Sequence, residues 1–126
     1  MSDCGCVYVE DDGDPAVILG EKIRRAHKAH KCDECRGVIE IGETYEDVKG
    51  LSDGSWFRNK TCSDCLSIRR VMFCGSWNYG SIKDDLWEHV SDFDGQIDED
   101  CLLRLTPRAR SMVADMIDQV WEMRGE

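Results

Sequence analysis

The C-terminal end of the chain has the clearest hydrophobic periodicity. Apolar side chains recur there at helical spacings of three and four residues: Ala109, Met112, Val113, Met116, Ile117, Val120 and Trp121. Thr106 suits the cap of a helix, and Pro107 suits its first position. The pattern predicts an amphipathic helix from residue 107 onward whose apolar stripe belongs to the core.

A second helix is predicted over residues 81–93, with Ser81 as its cap. One side of it is apolar at helical spacing: Ile82, Leu86, Val90 and Phe93. The other side carries carboxylates: Asp84, Asp85, Glu88 and Asp92. We expect the apolar side to pack against the C-terminal helix. Downstream, the acidic run of residues 98–100 predicts a further helix start before Cys101.

The middle of the chain predicts a β-hairpin followed by a helix. Residues 44–48 and 55–58 have strand-like composition, and Ser52-Asp53-Gly54 between them is typical of a turn. Thr61 and Asp64 then have the spacing of a capping box. The helix that it predicts continues through the apolar residues Leu66, Ile68, Val71 and Met72.

Two Cys-x2-Cys pairs flank this hairpin. Cys32 and Cys35 precede it, Cys62 and Cys65 follow it, and 26 residues separate the pairs. Each Cys-x2-Cys pair can turn both sulfurs to one side of a tight turn, and two such pairs supply the four tetrahedral sulfur ligands that zinc prefers. Gly37, just past the first pair, is expected to take a left-handed conformation that aims amides at the sulfurs. The sequence therefore predicts a four-thiolate structural zinc site.

Disulfide bonding and redox chemistry are the alternatives for these cysteines. The N-terminus has no basic start followed by an apolar run, so no signal peptide is predicted and we expect a cytoplasmic, reducing location. A single Cys-x2-Cys pair is also typical of redox proteins, but no βαβ pattern surrounds either pair. Both observations favour zinc.

The order of these elements resembles the treble-clef class of zinc finger. The resemblance rests on a knuckle at Cys32 and Cys35, a hairpin, and a helix that begins at the second cysteine pair, and it covers roughly residues 31–73. The segment from His30 to Cys62 is also similar to small zinc-finger proteins of tailed phages and prophages, most of which have no assigned function. Together with the helices predicted after it, the resemblance leads us to expect an α+β fold, with a treble-clef finger followed by a small C-terminal helical part.

The formal net charge of −10 is large for 126 residues, and such a chain is repelled by phosphate backbones. The charge is uneven, because residues 21–31 carry five Lys or Arg against one Glu. This basic strip fits either a helix face or a strand face, and we favour a strand. It offers a nucleic-acid contact through Lys22, Arg24, Arg25, Lys28 and Lys31. The favoured alternative is pairing with the acidic tail, with His27 and His30 at the surface.

Four further cysteines have no recognisable motif: Cys4, Cys6, Cys74 and Cys101. They are enough for a second zinc site if the termini fold together. The alternative, which we favour, is that Cys74 and Cys101 are small buried apolar residues and the N-terminal pair is loosely ordered. Residues 10–15 between them and the basic strip are expected to form an acidic solvated loop.

Residues 74–80 form a glycine-bounded loop with two aromatic rings. Trp77 and Tyr79 suit a partner contact, as does the acidic side of the 81–93 helix at Asp84, Asp85 and Glu88. The ordinary alternative is that the two rings fill the seam between the finger and the part of the chain that follows it.

No catalytic motif accompanies the cysteines. A closed four-cysteine zinc site has no position for substrate, and none of the three histidines belongs to a triad pattern. We therefore expect a non-enzymatic module that binds a protein, as a phage-encoded regulator or inhibitor of a basic, nucleic-acid-handling host protein. Nucleic-acid binding through the basic strip, with Trp56 and Arg58 nearby, and a structural or assembly role are the alternatives.

The expected organisation has three parts. Residues 1–31 form an N-terminal arm, residues 32–73 the finger, and residues 74–126 an acidic helical part that packs with the finger as one domain.

Overall fold

The structure is a computed structural model of the chain, and it describes residues 4, 6, 7, 9, 16–75 and 77–125. It has a mixed α+β fold with two small sheets and four helices in that part of the chain. The chain divides into two compact units. We call Glu10–Leu66 the sheet unit and Met1–Val9 with Ser67–Glu126 the helical unit. The acidic loop predicted at residues 10–15 lies outside the described residues.

The sheet unit contains five antiparallel strands in two sheets. The three-stranded sheet has the order β1 (Val17–Arg25), β4 (Thr44–Ser52) and β5 (Ser55–Cys62). The two-stranded sheet pairs β2 (His30–Lys31) with β3 (Val38–Ile39). The predicted hairpin is therefore present, and its strands are longer than predicted.

The turn between β4 and β5 follows from two residues with positive φ. Asp53 has φ 52° and Gly54 has φ 79°, the backbone that a two-residue hairpin turn requires at both central positions. It connects Ser52 to its cross-strand partner Ser55. The turn chemistry in the sequence was thus sufficient to place the hairpin.

The basic strip belongs to the sheet unit. Strand β1 pairs with β4 from Val17 to Arg25, with an irregularity in register between Ile18 and Gly20. The chain then bends and enters β2. The preference for a strand was correct for residues 21–25, which lie in β1.

The four helices are α1 (Ser63–Met72), α2 (Ile82–Asp92), α3 (Glu99–Leu103) and α4 (Pro107–Met123). The helices predicted around residues 81–93 and from residue 107 are confirmed. The predicted capping box at Thr61 is wrong, because Thr61 lies in β5 and its Oγ1 accepts a hydrogen bond from Asn59 Nδ2 at 3.0 Å. Helix α1 begins two residues later, at Ser63.

The core of the helical unit is built from all four helices. Its most deeply buried side chains include Met72, Leu86, Val90, Val113 and Cys101. Phe93, expected in the apolar stripe, is 53% exposed. The stripe ends earlier than its spacing suggested because α2 ends at Asp92.

Two side chains of α4 satisfy backbone groups at the ends of neighbouring segments. Arg110 donates to the carbonyl oxygens of Leu102 and Leu105, at 3.1 and 3.3 Å. Trp121 Nε1 donates to the carbonyl oxygen of Asp94 at 3.0 Å. These bonds attach α4 to the end of α3 and to the segments that follow α2 and α3. Among the residues described, no helix has the length and apolar character to cross a membrane.

The sheet leaves no room for a side chain at Gly50. A Cβ at this position would meet the Val17 carbonyl oxygen and would lie 2.9 Å from Phe57 Cε1. We expect Gly50→Ala to lower the free energy of unfolding of the sheet unit by about 1–3 kcal/mol through overpacking. Hydrogen exchange of the β4 amides in a urea series measures it.

Gly20→Ala is the matched control, because nothing lies within 4 Å of a Cβ built there. It should change the same free energy by less than about 0.5 kcal/mol. Equal effects at the two glycines would contradict the observed register of β1 on β4.

The stability of the helical unit should depend on pH through His89. Its side chain is buried, and this desolvation lowers the pKa of the imidazole. A His pKa that is lower in the folded state favours the neutral form. The stability it contributes is therefore present above the unfolded pKa of about 6.5 and is lost as the pH falls through the folded pKa.

We expect hydrogen exchange of α2 and α4 amides to accelerate as the pH is lowered below about 6.5, after correction for intrinsic rates. NMR titration of the His89 ring should give a pKa below about 6.5, the value of an unperturbed histidine. A His89 pKa at or above that value would refute the prediction.

Candidate functional site

The first cysteine pair lies in a knuckle that β2 and β3 hold closed. Cys32 N donates to the carbonyl oxygen of Gly37 at 2.8 Å, and Arg36 N donates to that of Cys32 at 3.0 Å. Arg36 has φ 66°. The left-handed residue is therefore Arg36 rather than Gly37, a correction to the expectation from sequence.

The second cysteine pair lies where the hairpin meets α1. Cys62 is the last residue of β5, and Cys65 lies in the first turn of α1. Asp33 joins the two halves of the site, because its N donates to the carbonyl oxygen of Lys60 and its Oδ2 accepts from Lys60 N, both at 2.8 Å. The knuckle is thus aligned along β5 by two hydrogen bonds.

The four sulfurs form one cluster. All four Sγ atoms, of Cys32, Cys35, Cys62 and Cys65, lie within 4.8 Å of one another. The Cys32–Cys65 and Cys35–Cys62 sulfur distances are both 3.9 Å. Tetrahedral zinc with Zn–S bonds of about 2.3 Å would place its sulfurs about 3.8 Å apart. The geometry is compatible with a zinc ion bound by these four side chains.

Backbone amides donate to three of the sulfurs. Glu34 N and Cys62 N both donate to Cys32 Sγ, at 3.4 and 3.3 Å. Gly37 N donates to Cys35 Sγ and Cys65 N to Cys62 Sγ, each at 3.4 Å. Hydrogen bonds of this kind stabilise the thiolate form, which is the form that binds a metal.

The sulfurs also compete for protons. Hydrogen bonding from Cys32 lowers the pKa of Cys35, and hydrogen bonding to the neighbouring sulfurs, Cys32 first, raises the pKa of Cys65. Four thiolates at this separation repel one another, so some keep their protons without a cation. A bound dication removes that repulsion and releases those protons.

A buried polar layer supports the cluster, and the sequence pattern did not reveal it. Asn59 Nδ2 donates to Glu34 Oε2 at 3.1 Å and to Thr61 Oγ1 at 3.0 Å. All three residues are buried. Glu34 lies between the first two cysteines, so this layer fixes the knuckle against β5. Glu34 and Asn59 are 25 residues apart in sequence, and no local signal predicts their pairing.

The other four cysteines are paired as two disulfides, Cys4–Cys101 and Cys6–Cys74. The suggested second metal site is therefore not present, because a sulfur bonded to another sulfur cannot act as a thiolate ligand. The favoured alternative also needs correction. Cys101 is fully buried, but Cys74 is exposed, and the two N-terminal cysteines are linked to the helical unit.

The residues of the proposed nucleic-acid contact are exposed on the sheet unit: Lys22, Arg24, Arg25, Lys28 and Lys31. Arg24 Nε donates to Asp47 Oδ2 at 2.9 Å, so its partner lies in the same sheet and not in the acidic tail. His30 is half-buried, and its Nδ1 lies 3.2 Å from Lys60 Nζ. Partial desolvation and the nearby Lys60 and Lys28 lower the pKa of His30.

The residues suggested for a protein partner divide into two groups. Trp77 packs on the helical core, with the Arg69 guanidinium 4.2 Å from its ring centroid and Tyr79 at 6.1 Å. Asp84 and Glu88 are exposed on α2, whereas Asp85 is half-buried. The position of Trp77 fits a packing role, and the two exposed carboxylates remain accessible.

Comparison with family models, with curated proteins and with solved structures finds no significant match to this chain. The resemblance to treble-clef and phage zinc fingers therefore has no support from a relative.

Proposed function

We propose that this protein is a non-enzymatic interaction module whose sheet unit is stabilised by one zinc ion, held in a treble-clef-type finger by Cys32, Cys35, Cys62 and Cys65. The observation that carries this proposal is the convergence of four sulfurs within 4.8 Å from two distant segments. Knuckle, hairpin and helix follow one another in the order that the resemblance implies.

Zinc has a structural role in this proposal because the four sulfurs occupy all four tetrahedral positions. A catalytic zinc keeps one position open for water or substrate. The knuckle also needs an external source of stability, since β2 and β3 have only two residues each. A structural zinc supplies on the order of 10 kcal/mol of folding free energy.

A narrower version makes the protein a phage-encoded regulator or inhibitor that offers its acidic helical unit to a basic host protein. Residues 67–126 hold twelve Asp or Glu against seven Lys or Arg, and Asp84 and Glu88 are exposed four positions apart on α2. Asp84→Lys with Glu88→Lys should then abolish binding to such a protein. Unchanged binding by this variant would contradict this version.

Metal content tests the proposed function. Native mass spectrometry of the purified protein should give one zinc per chain, lost on treatment with a chelator. Because the sheet unit depends on the metal, β4 and β5 amides should then exchange rapidly while α4 amides keep their protection. A chain without zinc whose β5 amides are protected would refute the proposal.

Cys35→Ser should reproduce the chelated state without a chelator. A serine at this position leaves three sulfurs, so zinc content should fall well below one per chain and the sheet unit should unfold. Cys6→Ser with Cys74→Ser is the matched control, since it changes cysteines of the helical unit and should retain one zinc. Equal zinc loss in both variants would contradict the assignment of the ligands.

A further inference from the structure

The three-stranded sheet has one face on which basic side chains gather. Cross-strand partners share a face and residues two apart on a strand return to it. The register of β1, β4 and β5 therefore places five cations together with Asp47 and Trp56: Lys22, Arg24, Lys49, Arg58 and Lys60. We call these five residues the basic face.

Contacts between side chains confirm this arrangement. Arg24 and Arg58 both bind Asp47, with Arg58 donating to its two oxygens at 3.0 and 2.7 Å. Lys49 Nζ lies 5.8 Å from the centroid of the Trp56 ring, the distance of a cation–π contact. These contacts place Arg24 and Arg58 on the side of Asp47 and Lys49 beside Trp56, and the register places Lys22 and Lys60 on the same side.

The single carboxylate on the basic face, Asp47, lies beneath the cations and leaves their positive charges exposed to solvent. The Asp47 side chain is 5% exposed, whereas those of Arg24 and Arg58 are 46% and 61% exposed. Asp47 therefore orders two guanidinium groups from beneath. Glu21 and Glu46 fall on the opposite face of the sheet by the same register, together with Arg25. Alternation along the strands therefore keeps both glutamates away from the basic face.

The two ends of the basic face have different features. At one end a cavity of about 490 Å³ is lined by cationic and neutral groups: Arg24, Arg25, His27, Lys28, His30 and Tyr45. At the other end Trp56 is 64% exposed. It borders a cavity of about 390 Å³ together with Lys49, Phe57 and Arg58. One end suits a phosphate group and the other suits a planar ring.

We propose that the basic face binds single-stranded nucleic acid, with backbone phosphates against its cations and a base stacked on Trp56. A positively charged track with an exposed aromatic ring is the arrangement by which proteins hold single strands. A duplex keeps its bases stacked inside, so it offers nothing to the Trp56 ring. An acidic peptide would satisfy the cations but would leave the ring without a planar partner.

The net charge of the chain does not oppose this binding. Residues 16–66 contain nine Lys or Arg and nine Asp or Glu, so the excess of −10 is carried by other residues. Screening limits the reach of an exposed charge to about 8 Å at physiological ionic strength. The local arrangement on the sheet therefore decides what binds there. This inference rests on the proposed function, because the same hairpin ends at Cys62.

The test is fluorescence anisotropy with zinc-loaded full-length protein and labelled oligonucleotides of about 15 nucleotides, near the upper end of single-strand site sizes. Oligo-dT, oligo-U and a DNA duplex of the same length are the three probes. We expect both single strands to bind more tightly than the duplex. The ratio of the two single-strand affinities identifies DNA or RNA as the preferred ligand.

Variants of the face should act in two distinct ways. Trp56→Ala should weaken binding roughly five- to hundredfold by removing one stacked base. Lys22→Gln with Lys49→Gln should reduce the slope of log affinity against log salt by about 0.7 for each phosphate that the protein no longer neutralises. Ile41→Ala and Arg70→Gln, which change exposed residues elsewhere, are the matched controls and should leave binding unchanged.

Zinc content of the same samples separates the two proposals. One zinc per chain with no affinity for either single strand overturns this inference and leaves the proposed function intact. Tighter binding of the duplex, or a polyglutamate that competes as well as oligo-dT, also overturns it. A chain without zinc whose sheet unit is folded refutes the proposed function instead.

Discussion

The convergence of four sulfurs is the constraint on which the sheet unit depends. Two segments separated by the whole β4–β5 hairpin have to bring Cys32, Cys35, Cys62 and Cys65 within 4.8 Å. This requirement fixes where β5 ends, where α1 begins and how the knuckle lies along β5. Strands of two residues cannot provide that order by themselves, because a short hairpin is at best marginally stable in water. A metal held by the sulfurs would provide it.

The basic face is a consequence of the same hairpin. Because β5 must deliver Cys62 to the cluster, its side-chain alternation is set, and Arg58 and Lys60 fall on the face that also holds Cys62. Asp47 then draws the guanidinium groups of Arg24 and Arg58 into fixed positions. An ordered pair of guanidinium groups loses less side-chain entropy on binding a phosphate than two free ones. The hairpin that ends at the cysteine cluster and the proposed binding surface are therefore one structure.

The helical unit is stabilised by a different use of cysteine. Its disulfides join residues 97 and 68 positions apart and attach the N-terminal segment to the apolar core. In the chain-entropy account, closing loops of this length is worth roughly 4 kcal/mol each. The chain thus contains four thiols in one unit and four oxidised cysteines in the other. The sequence separates the four cysteines of the cluster from the four in disulfides, since only the cluster cysteines have the Cys-x2-Cys spacing.

The sequence by itself determined the features that depend on neighbouring residues. The periods of 3.6 and 2, the turn at Asp53-Gly54 and the two Cys-x2-Cys pairs predicted the helices α2 and α4, the hairpin and the cluster. Tertiary structure decided the disulfide pairs, the Asn59–Glu34 layer and the composition of the basic face, which all join residues distant in sequence. The irregularity between Ile18 and Gly20 shows the reason. A one-residue change of register moves every following side chain to the opposite face. Lys22 therefore lies opposite Asp47, and Arg24 binds Asp47, only because β1 pairs with β4 in this register.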